Sequence, residues 1–216
     1  DNYIAALREA ELLDRRERWA GGETHLVQLG DVPDRGPDTD RIIEHLRKHE
    51  KQARRAGGRV HALIGNHEAM NVIGDLRYVH RGEYAAFETR SSERLLEDYY
   101  ERVVDFRRQQ EPGWEPTEAD REAWFDAHPP GFIEHRQHWH PEGEIGSWVL
   151  EHAAMIRIND TLFVHGGTPR DRTIRERWDG LSSLEDPEIR FEMMWSDPSR
   201  AELVPPELQD QSARFA

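Results

Sequence analysis

The chain has 216 residues and a formal net charge of −14, with no cysteine, 12 histidines and seven tryptophans. That length suits one α/β domain or one and a half, and the acidic excess excludes a nucleic-acid groove as the main function, because such a surface carries surplus Lys and Arg to displace counterions. The missing cysteines exclude disulfides, iron–sulfur clusters and thiolate metal sites, and no apolar run approaches the 18 residues of a membrane helix.

The opening residues predict a helix, since Tyr3, Ala6, Leu7, Ala10 and Leu13 or Asp14 follow helical spacing with charges between them. Gly21-Gly22 ends it, and residues 24–29 (THLVQL) read as a strand. A helix follows over residues 39–56, stopped by Gly57-Gly58, and then a second strand over 59–64 (RVHALI). The order α-β-α-β implies a parallel sheet with crossover helices. Residues 83–151 read as a mostly helical insertion, with helices over 91–109 and over 117–127. The second opens on a capping-box pattern, Thr117 with Asp120, and Pro129-Pro130-Gly131 breaks the chain after it. Two short strands, 153–158 and 161–164, flank the turn signal Asn159-Asp160. A last helix is expected near 187–195.

Three motifs each follow a strand. Gly30-Asp31-Val32-Pro33-Asp34-Arg35-Gly36 follows the first, Gly65-Asn66-His67-Glu68 the second, and His165-Gly166-Gly167 the strand TLFV. Sites in α/β sheets form beyond the carboxyl ends of strands, so the three clusters are expected on one rim. Asp, Asn and His supply O, O and N donors, a set suited to Mn, Fe, Zn or Mg-like ions. Two such ions about 3.5–4 Å apart clamp a phosphoryl group and generate a nucleophile from water. The planar fork of Arg35 grips phosphate oxygens. His67 is the candidate proton donor to the leaving group, with Asp34 orienting its ring.

With these residues in view, GDVPDRG, GNHE and HGG resemble the core motifs of the calcineurin-like metallophosphoesterases, in the phosphoprotein phosphatase branch. Residues 65–79 (GNHEAMNVIGDLRYV), with LFVHGG, resemble the Shewanella-like phosphatases. Met194-Trp195-Ser196-Asp197-Pro198 resembles a segment of the same branch. The resemblance implies an α/β fold, the metallophosphatase αββα sandwich, with two divalent metal ions (Mn, Fe or Zn) between the sheets. It implies Asp31 as the carboxylate bridging both ions, Asn66 and His165 as ligands of one, His67 as general acid, Asp34 as its partner and Arg35 as phosphate clamp. The expected reaction is hydrolysis of phosphomonoesters on Ser/Thr or Tyr of proteins by a metal-activated water, tilted toward phosphotyrosine. The alternatives are a dinucleoside polyphosphate hydrolase and a non-catalytic remnant acting as a binding module.

Two family motifs are missing, an early GDxHG and a late Gly-His, and no His follows His165. Residues 1–216 are therefore expected to be one partial domain, truncated at both ends and poorly active by itself, with 83–151 as its insertion. Arg77 is expected to contact substrate, with Arg170 a further anion-binding candidate, against the default of a surface arginine. The dense segment 134–140 (EHRQHWH) is expected on a solvated surface of the insertion. The expected partner is a phosphorylated protein or small phosphoester, with neither nucleic acid nor membrane. The compartment stays open, with the cytoplasm favoured.

Overall fold

A computed structural model describes residues 2–166 and the backbone of residues 188–190. Its elements run α1 (Asn2–Glu9), β1 (His25–Gln28), α2 (Thr39–Arg55), β2 (Arg59–Ala62), α3 (Asn66–Ile73), α4 (Arg81–Ala86), α5 (Ser92–Gln110), α6 (Glu118–Ala127), α7 (Phe132–Trp139), α8 (Glu144–Leu150), β3 (Ala153–Ile158), β4 (Thr161–Val164) and β5 (Glu188–Arg190). β1 and β2 are parallel, with Leu26 opposite Val60 and Gln28 opposite Ala62. The crossover helix α2 buries Ile43, Leu46, His49 and Ala53 on one stripe, and Leu46 and Ala53 pack on Val60 and Ala62 of β2. The α-β-α-β reading of the opening is what forms, because the apolar positions of α2 recur at three- and four-residue intervals.

The second sheet has the order β4-β3-β5, antiparallel throughout. Asn159, with a φ of 53°, turns the β3–β4 hairpin. The chain past β2 joins the two sheets: the Leu63 amide donates to the Gln28 carbonyl at 2.8 Å and the Ile64 amide to Ala153 at 3.0 Å. Leu63, Ala153 and Ile156 bury together at that junction.

Several expectations need correction. The first helix stops at Glu9. Glu11 takes a φ of 58°, and Leu12 and Leu13 reach the core from a turn, clustering with Leu7. Their helical spacing reflects burial, not continued helix. Both parallel strands end before the motifs that follow them, which leaves the motif residues in loops and at a helix start. Residues 188–190 form a strand on β3 where a helix was expected. The rest of that helix, Gly167, Arg170 and the segment Met194–Pro198 lie outside the described residues.

The segment 134–140 is not a solvated surface. It forms α7 and turns Glu134, His135 and Trp139 inward. Trp139 is fully buried with Ile43, Ile64, Val72, Phe87, Ile145 and Val149. α7, α8 and Phe87 thus share the main core with α2, α3 and the chain past β2. Positions 135 and 139 make one helical stripe, which the polar residue types around them disguise.

His135 is enclosed by aromatic edges, its ring centroid 5.1 Å from Tyr84 and 5.3 Å from Phe87. Neither ring nitrogen has a hydrogen-bond partner among the described residues, and burial pushes its pKa down to about 3. The folded chain therefore keeps it neutral where the unfolded chain takes up a proton below about pH 6.5. Stability from this site is present above that value and is lost as pH falls toward 3. His135→Phe should stabilise the chain at pH 7 by about 1–3 kcal/mol, the usual penalty for an unpaired buried polar group. It should also flatten the loss between pH 6.5 and 4. Urea unfolding of both proteins across that range checks this, and a steeper acid loss in the variant would contradict it.

Candidate active site

The loop after β1 is built from residues that resist its shape. Asp31, Asp34 and Arg35 take φ values of 59°, 74° and 62°, a left-handed conformation that costs non-glycine residues about 1–3 kcal/mol each. Gly30, at φ 97°, lets this loop touch the next one: a Cβ there would lie 2.5 Å from the Gly65 nitrogen. Groups from elsewhere hold the loop amides. The Asp31 amide donates to Glu68 Oε2 at 2.8 Å and the Val32 amide to Glu68 Oε1 at 2.7 Å. The Asp34 amide donates to Glu83 Oε1 at 2.9 Å, and the Arg35 amide to the Tyr78 carbonyl at 3.1 Å. Pro33 has no amide hydrogen to place.

Glu68 also accepts the Gly65 amide, at 2.8 Å, which caps α3 at its start. Its carboxylate is buried, and desolvation raises its pKa against the pull of these backbone donors. α3 then projects Asn66 and His67 into the space beside Asp31. The His67 amide donates to Asp31 Oδ1 at 3.1 Å.

The side chains fall into two groups. In the first, His67 Nδ1 lies 2.5 Å from Asp34 Oδ2, with the ring 4% and the carboxylate 0% exposed. Asn71 Nδ2 donates to Asp34 Oδ1 at 3.0 Å. On the other side of the ring, Arg35 Nη2 donates to His67 Nε2 at 3.1 Å. A guanidinium only donates, so Nε2 accepts, and the ring proton sits on Nδ1 facing Asp34.

In the second group, His165 Nε2 lies 3.1 Å from Asp31 Oδ2 and 3.2 Å from Asn66 Oδ1. Its Nδ1 is 2.9 Å from the Leu29 carbonyl oxygen, which only accepts, so Nδ1 carries the proton. Nε2 therefore presents a lone pair to two oxygens that present theirs. Three lone pairs so arranged need a cation or a further proton among them, and this donor set suits a divalent metal. Among the described residues no three His, Cys, Asp or Glu gather to hold a metal. Here the third donor is an asparagine.

Arg77 is spoken for locally. It forms a bidentate pair with Asp75, at 2.8 and 2.7 Å, and this pairing holds the Asp75 carboxyl below its ordinary range. Its guanidinium lies 5.9 Å from the Tyr78 ring, and Arg35 lies 5.5 Å from the same ring.

The motifs contain Glu68, but its place as a clamp on three amides is not among the roles expected from sequence. The signal available is its third position after the Gly65 cap. Glu83 and Asn71 carry no signal, since a lone Glu or Asn on a helix reads as a surface residue.

The calcineurin-like phosphoesterase family model matches residues 5–207. Shewanella-like protein phosphatase 2 of Arabidopsis thaliana is 49% identical over 74 residues, 34% of this chain and 19% of that one. Shewanella-like protein phosphatase 1 of Plasmodium berghei is 26% identical over 161 residues, 74% of this chain and 34% of that one. An uncharacterized protein of Schizosaccharomyces pombe is 48% identical over 81 residues, 38% of this chain and 24% of that one. Among solved structures, a point mutant of a cold-active protein tyrosine phosphatase superposes with a TM-score of 0.58 at 26% identity, covering 95% of this chain. The cold-active protein-tyrosine phosphatase of a psychrophilic Shewanella species does so with a TM-score of 0.55 at 25% identity, covering 93% of this chain. The chain spans 48% and 49% of those two structures.

Removing the Glu68 clamp should cost more than a surface charge. Glu68→Ala leaves the Asp31, Val32 and Gly65 amides without their acceptor, and about 3 kcal/mol or more of stability should be lost. Denaturant unfolding measures the loss. Amide hydrogen exchange at those three positions should accelerate before exchange in α2 does, and unchanged protection there would rule out the clamp.

Proposed function

We propose that this chain, which belongs to the calcineurin-like phosphoesterase family, hydrolyses phosphomonoesters, with phosphorylated Tyr, Ser or Thr of proteins as substrates. The observation that carries this reading is the meeting of Asp31, Asn66 and His165 beside the row Asp34–His67–Arg35. The family generally binds divalent metals. In our assignment Asp31 would serve both of two ions, Mn, Fe or Zn, while Asn66 and His165 would serve one of them. The O, O, N donor set and its opposed lone pairs support that assignment. Bound cations would supply Lewis acidity at the phosphoryl oxygens and a nucleophilic water.

The remaining work falls to this chain's own side chains. The exposed Arg35 guanidinium takes two phosphoryl oxygens in its fork. Doing so withdraws it from His67 Nε2, where it now rests, and opens that nitrogen to the leaving-group oxygen. Freed from Arg35, Nε2 takes up a proton from solvent water, and His67 gives that proton to the leaving-group oxygen as the P–O bond breaks. Asp34 holds the Nδ1 proton and balances the imidazolium charge. Asn71 keeps the second Asp34 oxygen occupied, so the carboxylate stays aimed at the ring. The phosphoprotein substrate class draws support from the names of the relatives, two of them protein phosphatases, and of the superposed tyrosine phosphatases.

Hydrolysis of phosphotyrosine and phosphoserine peptides with added Mn²⁺, beside calorimetric titration of Mn²⁺ alone, tests the reading. Metal-independent turnover, or absent turnover together with no Mn²⁺ binding, would refute it. His67→Asn should lower turnover about 10²–10⁴-fold on alkyl phosphates, and much less on p-nitrophenyl phosphate, whose leaving group needs no proton.

Arg35→Ala should raise KM and lower kcat, for a combined loss of about 2–4 kcal/mol in kcat/KM, with partial recovery in Arg35→Lys. Inhibition by inorganic phosphate should weaken in parallel. An unchanged phosphate affinity with a lower melting temperature would make Arg35 structural instead.

A further inference from the structure

α4 is six residues long, yet it carries one of the most deeply buried carboxylates among the described residues. Glu83 is 1% exposed. A buried charge is costly and needs a reason. Glu83 makes no ion pair with a Lys or Arg in the described structure. Its Oε1 accepts the Asp34 amide at 2.9 Å, across 49 residues of sequence. The Thr39 hydroxyl, at the start of α2, donates to the same carboxylate. Its Oε2 is buried with no hydrogen-bond partner among the described residues. Burial, aided by the nearby negative charge of Asp34, pushes its pKa up to about 7.

The amide it holds belongs to Asp34, and Asp34 is the residue whose carboxylate lies 2.5 Å from His67. That grip depends on the backbone. At φ 74° the Asp34 side chain leaves the loop toward α3, and a relaxed residue with negative φ would point it elsewhere. An energetic preference against this conformation has to be met by the surroundings. Glu83 Oε1 is the acceptor that meets it at this amide, as Glu68 does for Asp31 and Val32. α4 is itself anchored, since Tyr84, next in the chain, packs its ring on Phe132 and His135 of α7.

We propose that Glu83 is a positioning residue for His67, fixing the Asp34 backbone in the left-handed conformation from which its carboxylate grips the imidazole. Proton delivery to the leaving group is thereby tied to α4. The catalytic half of this statement rests on the reading of His67 as general acid; the positional half does not.

The test begins with the 216-residue chain and no substrate. A short bond between an imidazole N–H and a carboxylate gives a low-field proton resonance, and His67→Asn identifies it by abolishing it. That resonance should move toward ordinary values or vanish in Glu83→Met, which keeps the volume without an acceptor. The same should happen in Glu83→Asp, whose carboxylate stops one methylene short of the Asp34 amide. Glu83→Gln, whose amide oxygen still accepts, should retain it. Should Glu83→Met fail to fold, Glu83→Asp decides. An unchanged resonance in either folded variant overturns the proposal, and so does its absence from the unsubstituted chain.

Kinetics then separate positioning from general support of the fold. With Mn²⁺ present, Glu83→Asp should lose about tenfold more turnover on an alkyl phosphate than on p-nitrophenyl phosphate, with KM within about twofold on both. Equal losses on the two substrates would overturn action through His67. If the unsubstituted chain neither binds Mn²⁺ nor hydrolyses either ester, the phosphoesterase reading fails, and the resonance alone decides whether Glu83 positions the pair.

Discussion

The backbone between Asp31 and Arg35 cannot hold its own shape. Three of its five residues are in a left-handed conformation without being glycine, and its amide donors are satisfied by Glu68, Glu83 and the Tyr78 carbonyl. The rest of the site follows from that constraint. Glu68 has the largest share, because one carboxylate binds two loops, the start of α3 and the turn at Gly65 together. An ionised acceptor makes stronger bonds to backbone amides than a neutral one, which offsets the desolvation that raises its pKa. The strain is stored where side chains must leave the backbone at unusual angles, and the cost is met by buried acceptors behind the loop.

α3 is held at both ends, which extends the constraint into the helical half of the molecule. Glu68 fastens its first turn. Arg136 of α7 donates to the Asn71 carbonyl at 2.5 Å in its last turns, and its guanidinium lies against Gly74. Asn71 in turn donates to Asp34. A continuous path of hydrogen bonds therefore runs from α7 through α3 to the carboxylate beside His67. Trp139 of α7, fully buried among core residues of α2, α3 and α8, keeps that path from shifting. The family's two-sheet frame accounts for where the loops emerge. The helices after residue 81 account for where their side chains point.

Much of this was legible in the sequence, and the part that was not has a common cause. The parallel β1–β2 pair, α2, α5, α6 and the β3–β4 hairpin announce themselves through local periodicity and turn residues. So do the three loops, because glycine followed by Asp or Asn after a strand is a local pattern. Glu68 and Glu83 reach the loop through bonds that cross 36 to 49 residues; the local sign of Glu68 is its place three residues after Gly65, which marks a helix cap and not a clamp on a distant loop, and nothing local distinguishes Glu83 from the many other glutamates of this acidic chain. His135 misleads for the same reason: a polar residue type suggests solvent where ring contacts with Tyr84 and Trp139 place it inside. The short strand at 188–190 depends on a free edge of β3 that only the folded sheet provides.

Those long-range bonds also set an order of events. A left-handed Asp34 or Arg35 gains nothing until the acceptors from α3 and α4 have arrived, and bringing them in requires closing the intervening chain. The β1–β2 pair and α2 can assemble through their own apolar contacts while the loop between them is still unformed. The loop over residues 31–35 should therefore be among the last parts of the molecule to acquire its shape during folding, and among the first to relax when α3 or α4 loosens. Its side chains meet as a set only in a chain whose packing is already complete.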